Sequence, residues 1–250
     1  MKTKFIYTFL MSVCMFVLFI GISDVKAIDT GFSTEELSAE DIETVLANVN
    51  ISVFTEEPKK QAIKRFDINE DGLIALGFDS SDYKTVCIYT SDGEFLYGYN
   101  FETRGTFGVE WDKNILIIHL VRSDVSIAVN QNGEVEGIAK IQNTSENNDY
   151  WRNSIFLSSK KVNDNTYTIK NDMGLFNMVA SSYSQLVVTD EDGTETILYD
   201  VNSEQYIKTV VCTCGVFLWF TLALIFSVKK LRKKIRPHNS HKQILTFFNI

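Results

Sequence analysis

A mainly β fold joined to one membrane-spanning C-terminal helix is what this sequence predicts, and three observations predict it. Short β-branched and aromatic runs from Phe66 onward are separated by Asp-Gly and Asn-Gly pairs. Those runs recur in three units of about 40 residues, each with room for four antiparallel strands. Near the end, residues 209–228 carry no charge and are followed at once by KKLRKKIR, residues 229–236.

The two apolar ends set the topology. The chain opens with Lys2 and Lys4, an uncharged stretch from Phe5 to Ile22, and then Val25, Lys26 and Ala27. This is the layout of a signal peptide over residues 1–27, with an uncleaved anchor as the alternative. Both place the following residues outside. At about 1.5 Å per residue, the second apolar run spans roughly 30 Å, the thickness of a hydrocarbon core. Positive charge beside a span orients it toward the cytoplasm. Lys229, Lys230, Arg232, Lys233, Lys234 and Arg236 are therefore the membrane-orienting residues. The expectation is a single-pass protein of the cell membrane, with a transmembrane helix at 207–228 in the lipid bilayer. Residues 229–250 form a basic cytoplasmic tail, and the folded portion is extracytoplasmic.

Between residues 28 and 207 there are 13 Lys and Arg against 31 Asp and Glu, a net charge of −18. Nucleic acid is excluded as a partner on this ground, because it is bound through a basic stripe that displaces counterions from phosphates. An acidic exterior favours solubility. Of the four cysteines only Cys87 belongs to the exterior portion, so no intramolecular disulfide framework is available there. Cys87 sits in an apolar strand-like run and reads as a small buried residue.

Residues 28–62 read as a helical N-terminal segment. STEE at residues 33–36 resembles an N-terminal capping signal, and Leu37, Ile42, Val45 and Leu46 follow at helical spacing. This predicts a helix over residues 33–48, with a further helical turn near residues 59–64 after Pro58.

Residues 63–204 read as the β-repeat domain. Asp71-Gly72, Asp92-Gly93, Asn132-Gly133 and Asp192-Gly193 lie between apolar runs, and glycine there supplies the positive φ of a tight hairpin. FDINEDGLIALGF and TVCIYTSDGEFLYGYNF make one unit; TFGVEWDKNILIIHL and VSIAVNQNGEVEGIAKI make a second. TYTIKNDMGLFNMVAS and SQLVVTDEDGTETILYDV make a third, with its inner turn at Gly174. Residues 142–161 interrupt the second and third units as a degenerate extra element.

In this period and strand count, residues 64–201 resemble the blades of β-propeller proteins. The one Trp-Asp pair, Trp111-Asp112, does not recur from unit to unit and no Asp-box occurs, so the resemblance is architectural and implies no ligand. Three blade-like repeats fall short of the four to eight that close a propeller. The expectation is an incomplete propeller or a curled sheet, with the N-terminal helix covering one open edge and a homo-oligomer as the lesser option.

The sharpest local pattern is RFDINEDGLI, residues 65–74. Asp67, Asn69, Asp71 and Gly72 resemble the front half of a calcium loop, in which oxygens at alternate positions converge on the ion. Ala75 and Phe78 stand where the later ligands belong, so a hairpin turn is the favoured reading and calcium the alternative. No other cofactor and no catalytic residue is indicated. His119 in ILIIHL reads as structural, and nothing in the sequence gathers it with a nucleophile and an orienting acid. The aromatic groups FLYGYNF, TFGVEW and DYW read as core before ligand surface.

The expected function is a membrane-tethered, acidic, extracytoplasmic binding or scaffold module for an unknown protein or envelope ligand. An envelope hydrolase using exposed carboxylates such as Glu110 and Asp112 is the alternative. An accessory subunit of a membrane complex, contacting its neighbours through the small residues Cys212, Thr213, Cys214 and Gly215, is a third.

Overall fold

The computed structural model describes residues 28, 30–80 and 83–235, with side chains through Leu231. The leading apolar stretch, its cut at Ala27 and the side chains of Arg232, Lys233, Lys234 and Arg236 lie outside the described residues. The chain divides into two compact units. One comprises residues up to Asp172 together with Ser181–Val201, and the other Met173–Ala180 together with the residues from Asn202 onward.

The first unit is mainly β, built from three antiparallel sheets. Strand β1 (Thr34–Glu35), helix α1 (Ala39–Val49) and strand β2 (Ser52–Phe54) precede a meander of β3 (Ile63–Ile68), β4 (Ile74–Asp79), β5 (Lys84–Tyr89) and β6 (Phe95–Phe101). A second meander follows, β7 (Phe107–Asp112), β8 (Ile115–Leu120), β9 (Val125–Val129) and β10 (Val135–Ile141). Helix α2 (Ser145–Tyr150) continues through a π-helical turn (Trp151–Ile155) into the third, β11 (Ser159–Val162), β12 (Asn165–Lys170), β13 (Gln185–Thr189) and β14 (Glu195–Asp200). The strand orders are β2-β6-β5-β4-β3, β1-β10-β9-β8-β7 and β11-β12-β13-β14. Neither a closed barrel nor a closed propeller is formed among the described residues.

The four Asp-Gly and Asn-Gly pairs all make the same hairpin. In each, the glycine N–H donates back three residues, at 2.9 to 3.1 Å, to the carbonyl of Asn69, Thr90, Asn130 or Asp190. Gly72, Gly93, Gly133 and Gly193 hold φ between 80 and 83°. The side chain opening each turn also accepts the N–H four residues on: Asn69 from Leu73, Thr90 from Glu94, Asn130 from Glu134, Asp190 from Thr194. These are three-residue loops with a left-handed glycine, the geometry that lets twisted strands reverse without splaying.

Strands with both faces covered are buried along nearly their whole length, as in β8 and β9. In β8, Leu116, Ile118 and Leu120 join a core with Val86, Ile88, Tyr99 and Phe101 of the first sheet, and Leu37, Ile42, Val45 and Leu46 pack against it. The opposite face of the first sheet, with Phe66, Ile74, Leu76, Cys87 and Tyr89, packs on Tyr167, Ile169, Leu186 and Tyr199 of the third. The first sheet is thus the middle layer. Phe32, Ile141 and Ile155 form a third cluster, with Tyr150, Trp151 and Phe156 against it. Burial raises the Cys87 thiol to about 12, so it packs as a small apolar residue.

Four expectations are corrected. Thr34 and Glu35 lie in a strand paired with Lys140 and Ile141, and the helix starts later, its Ser38 side chain accepting the Asp41 N–H at 3.1 Å. Ser33 instead donates its N–H to Asn147, 114 residues away, so a tertiary contact overrides the local capping signal. Residues 59–62 are not helical, and β3 begins at Ile63. Where the N-terminal helix was expected to cover one open edge, strands add instead, β1 on β10 and β2 on β6. In the third unit the inner turn is at Asn163, with φ 52°, and the last three residues of the expected interruption, 159–161, belong to its first strand.

The second unit contains a 3-10 helix (Gly174–Val179) where a strand was expected, and α3 (Asn202–Ile235). Within α3, Asn202–Leu231 is long and apolar enough to cross a membrane, and its most apolar 18 residues have mean hydropathy 2.2 with none of them buried.

Candidate functional site

The first strands of the three meanders converge on Asp67. Its register on β3 turns the carboxylate away from solvent, with 9 % of the side chain exposed. Oδ2 accepts the Trp111 N–H of β7 at 2.7 Å, and Oδ1 accepts Lys160 Nζ of β11 at 2.5 Å. Burial pushes the carboxyl of Asp67 above the usual carboxylate range, and Lys160 and the two backbone N–H groups that reach it only partly offset this. Two residues earlier, Arg65 donates to the Phe107 carbonyl at 3.1 Å and stacks on the Phe156 ring at 4.3 Å. Its burial holds the guanidinium below its ordinary range.

The hairpins that close these strands surround a cavity of about 690 Å³. Asn69 Nδ2 donates to the Lys113 carbonyl at 2.9 Å, which ties the β3–β4 turn to the β7–β8 turn. Asn163 Nδ2 reaches the Glu70 carbonyl at 3.4 Å from the β11–β12 turn. Trp111 and Val162 supply apolar wall, while Glu70, Asp71, Asp112, Lys113, Lys160 and Lys161 bring charge of both signs. Lys113 and Lys161 have no acidic partner among the described residues. Three carboxylates and three ammonium groups thus line one cavity and give it a mixed-charge surface.

Of the three residues of the calcium-loop reading, Asn69 and Asp71 line this cavity and Asp67 does not. Asp67 has both oxygens engaged, Asn69 Oδ1 accepts the Leu73 N–H at 2.8 Å, and Asp71 is exposed on the hairpin. Among the described residues, no group of three or more His, Cys, Asp or Glu side chains is placed to hold a metal ion.

A second polar constellation, which sequence reasoning missed, lies on the other face of the second sheet. His119 Nδ1 meets Ser126 Oγ at 2.8 Å, and its Nε2 meets Glu110 Oε2 at 3.0 Å. Tyr150 donates its hydroxyl to the other Glu110 oxygen. Gly108, His119 and Ser126 are directly paired across β7, β8 and β9, so the register builds this row. The spacing of nine and seven residues is that of two successive hairpins, a signal readable only once the pairing is known. Ser126 and His119 are fully buried beneath Phe32 and Trp151, whose rings lie 5.0 and 5.7 Å from the imidazole. A serine, histidine and acid in contact have the makings of a nucleophile, but one sealed under aromatic rings meets no substrate in this conformation. Its evident work is to satisfy polar groups inside an apolar layer.

A further cavity of about 830 Å³ lies beside the C-terminal end of α1, with Arg104 and Arg122 among its walls. Cations are favoured beside the negative end of a helix dipole, which accounts for both. The aromatic groups divide as expected for core: Tyr99, Phe101, Phe107 and Trp111 are buried.

No family model, no curated protein and no solved structure matches this chain.

Proposed function

We propose that this chain is a single-pass membrane protein whose acidic β-rich portion stands outside the cytoplasm as a binding module. Helix α3 is its anchor, and the cavity among the three first hairpins is its contact with a protein or envelope ligand. The observation that carries this reading is the helix Asn202–Leu231, whose uncharged stretch, residues 209–228, is long enough to cross a membrane and is not buried. In water such a surface is strongly unfavourable, whereas a bilayer solvates it. The basic cluster from Lys229 onward supports a cytoplasmic C-terminus, and with it an exterior position for the residues before the span. Three meanders of four strands, each with a hairpin tip at one cavity, support the likeness to propeller blades.

The test has two parts. Protease added to sealed right-side-out vesicles is expected to cleave near Gly133 and spare the tail; protection of that region until lysis overturns the orientation. A photo-crosslinking amino acid at Lys161, on the cavity, is expected to give an adduct in intact cells that the same group at Thr196, on β14, does not. Equal adducts at both positions, or none, remove the cavity as the contact.

The envelope hydrolase is the second reading, favoured by the carboxylates of Glu70, Asp71 and Asp112 on one cavity. Calcium held through Asp67, Asn69 and Asp71 is an alternative ligand for the same place, and calorimetric titration with calcium discriminates it. Self-association has its opening at β14, which pairs with β13 alone among the described strands. Light scattering of the detergent-solubilised chain tests this, and a strict monomer removes it.

A further inference from the structure

Residues Met173–Ala180 contain no charged side chain. They fold as a short 3-10 helix that displays apolar groups: Leu175 and Met178 are each 88 % exposed, and Val179 is 60 % exposed. The Met173 N–H is capped by Asn177 Oδ1 at 2.9 Å, so the loop is closed on itself rather than extended. A set of adjacent large apolar side chains turned outward is a marker of an interaction surface.

The same compact unit contains the start of α3, and this identifies what covers the loop. The Phe176 ring lies edge-on to Tyr206, with centroids 5.6 Å apart at 89°. Tyr206 stands three residues before Thr209, where the uncharged run begins. At about 1.5 Å per residue this is roughly 4.5 Å along the helix axis, within the interfacial zone of a bilayer and not clear of it. Tyr206 and Ile207 are themselves 43 % and 62 % exposed, and the charges of Glu204 and Lys208 pair at 4.0 Å on the same turns. An aromatic ring at the boundary with charge beside it is the arrangement found where a helix leaves lipid for water.

We infer that the loop Met173–Ala180 is a second membrane contact, a lipid-inserted wedge in which Leu175, Met178 and Val179 enter the outer leaflet beside α3. This rests on the anchor reading and adds to it. A single helix leaves a domain free to swing about its tether, whereas an apolar loop buried alongside fixes one orientation of that unit against the surface. The lipid is recognised by its acyl chains, since the loop offers no charge to a headgroup.

The experiment uses the full chain in nanodiscs of phosphatidylcholine and phosphatidylglycerol, in a background carrying Cys14→Ala, Cys212→Ala and Cys214→Ala. An environment-sensitive fluorophore is attached in turn at Leu175→Cys, Met178→Cys, Phe217→Cys and Glu191→Cys, and quenching by brominated acyl chains is read. The inference expects strong quenching at positions 175 and 178, comparable to that at 217, and none at 191. A blue-shifted emission at 175 and 178 without lipid quenching means a protein partner or a second copy covers the loop, and overturns the wedge. Emission of a water-exposed dye at both positions overturns it as well. Position 217 separates the two readings: quenched there but not at 175 and 178, the anchor stands and the wedge falls; unquenched everywhere, the anchor itself falls.

Discussion

The carboxylate of Asp67 and the ammonium of Lys160 meet at 2.5 Å although 93 residues separate them in the chain. With the Trp111 N–H on the second oxygen, this one side chain links the first strands of all three meanders. A buried acceptor holding two donors from two other sheets is costly to remove, because the Trp111 N–H is then left desolvated without a partner, while the half-buried Lys160 can turn to water.

Asp67→Ala is therefore expected to lower the unfolding free energy by about 2 to 3 kcal/mol, read by chemical denaturation of the solubilised chain. A loss within error would mean that the three sheets hold together without it.

The pH response of the same group has a defined sign. Burial raises the Asp67 pKa in the folded chain above its unfolded value. The folded state then binds protons more readily, so this contribution to stability is complete below the ordinary carboxylate pKa, about 3.9, and is lost as pH rises through the folded value. Measured against Asp67→Asn, which does not titrate there, the parent's relative stability should decline as pH increases from about 4. A relative gain with rising pH would contradict the assignment.

Gly108 is a packing position. A Cβ there would stand 2.3 Å from Ile155 Cγ2 and 3.1 Å from Trp151. Gly108→Ala should cost about 1 to 3 kcal/mol and loosen the helical cover over His119, seen as faster amide exchange in residues 145–155.

Ser126→Ala leaves His119 Nδ1 buried without a partner. The expected loss is about 1 to 3 kcal/mol, measured by thermal unfolding. A neutral outcome would mean that water or a tautomer change satisfies the ring.

Two hairpin glycines separate backbone strain from crowding. Gly193 holds φ at 80°, and no heavy atom lies within 4 Å of the place a Cβ would take, so Gly193→Ala should cost only the left-handed penalty, about 1 to 2 kcal/mol. At Gly93 a Cβ would also lie 2.8 Å from the Leu198 carbonyl oxygen. Gly93→Ala should be the worse of the two in the same denaturation assay.

What the amino-acid order determined by itself is what neighbouring residues decide among themselves. An uncharged run of helix-spanning length and four turn-forming Asp-Gly and Asn-Gly pairs act within a few residues, so the apolar helix and all four hairpins were legible. The tertiary structure alone decided the rest. Thr34 and Glu35 became a strand because β10 offered an unpaired edge, and the DMG sequence ending at Gly174 became the start of a 3-10 helix because the inner turn of the third meander formed earlier, at Asn163. The contact of Asp67 with Lys160 and the row of Ser126, His119 and Glu110 arise from strand register and sheet stacking. Register is set by which faces are buried, a property of the assembled layers that no local window contains.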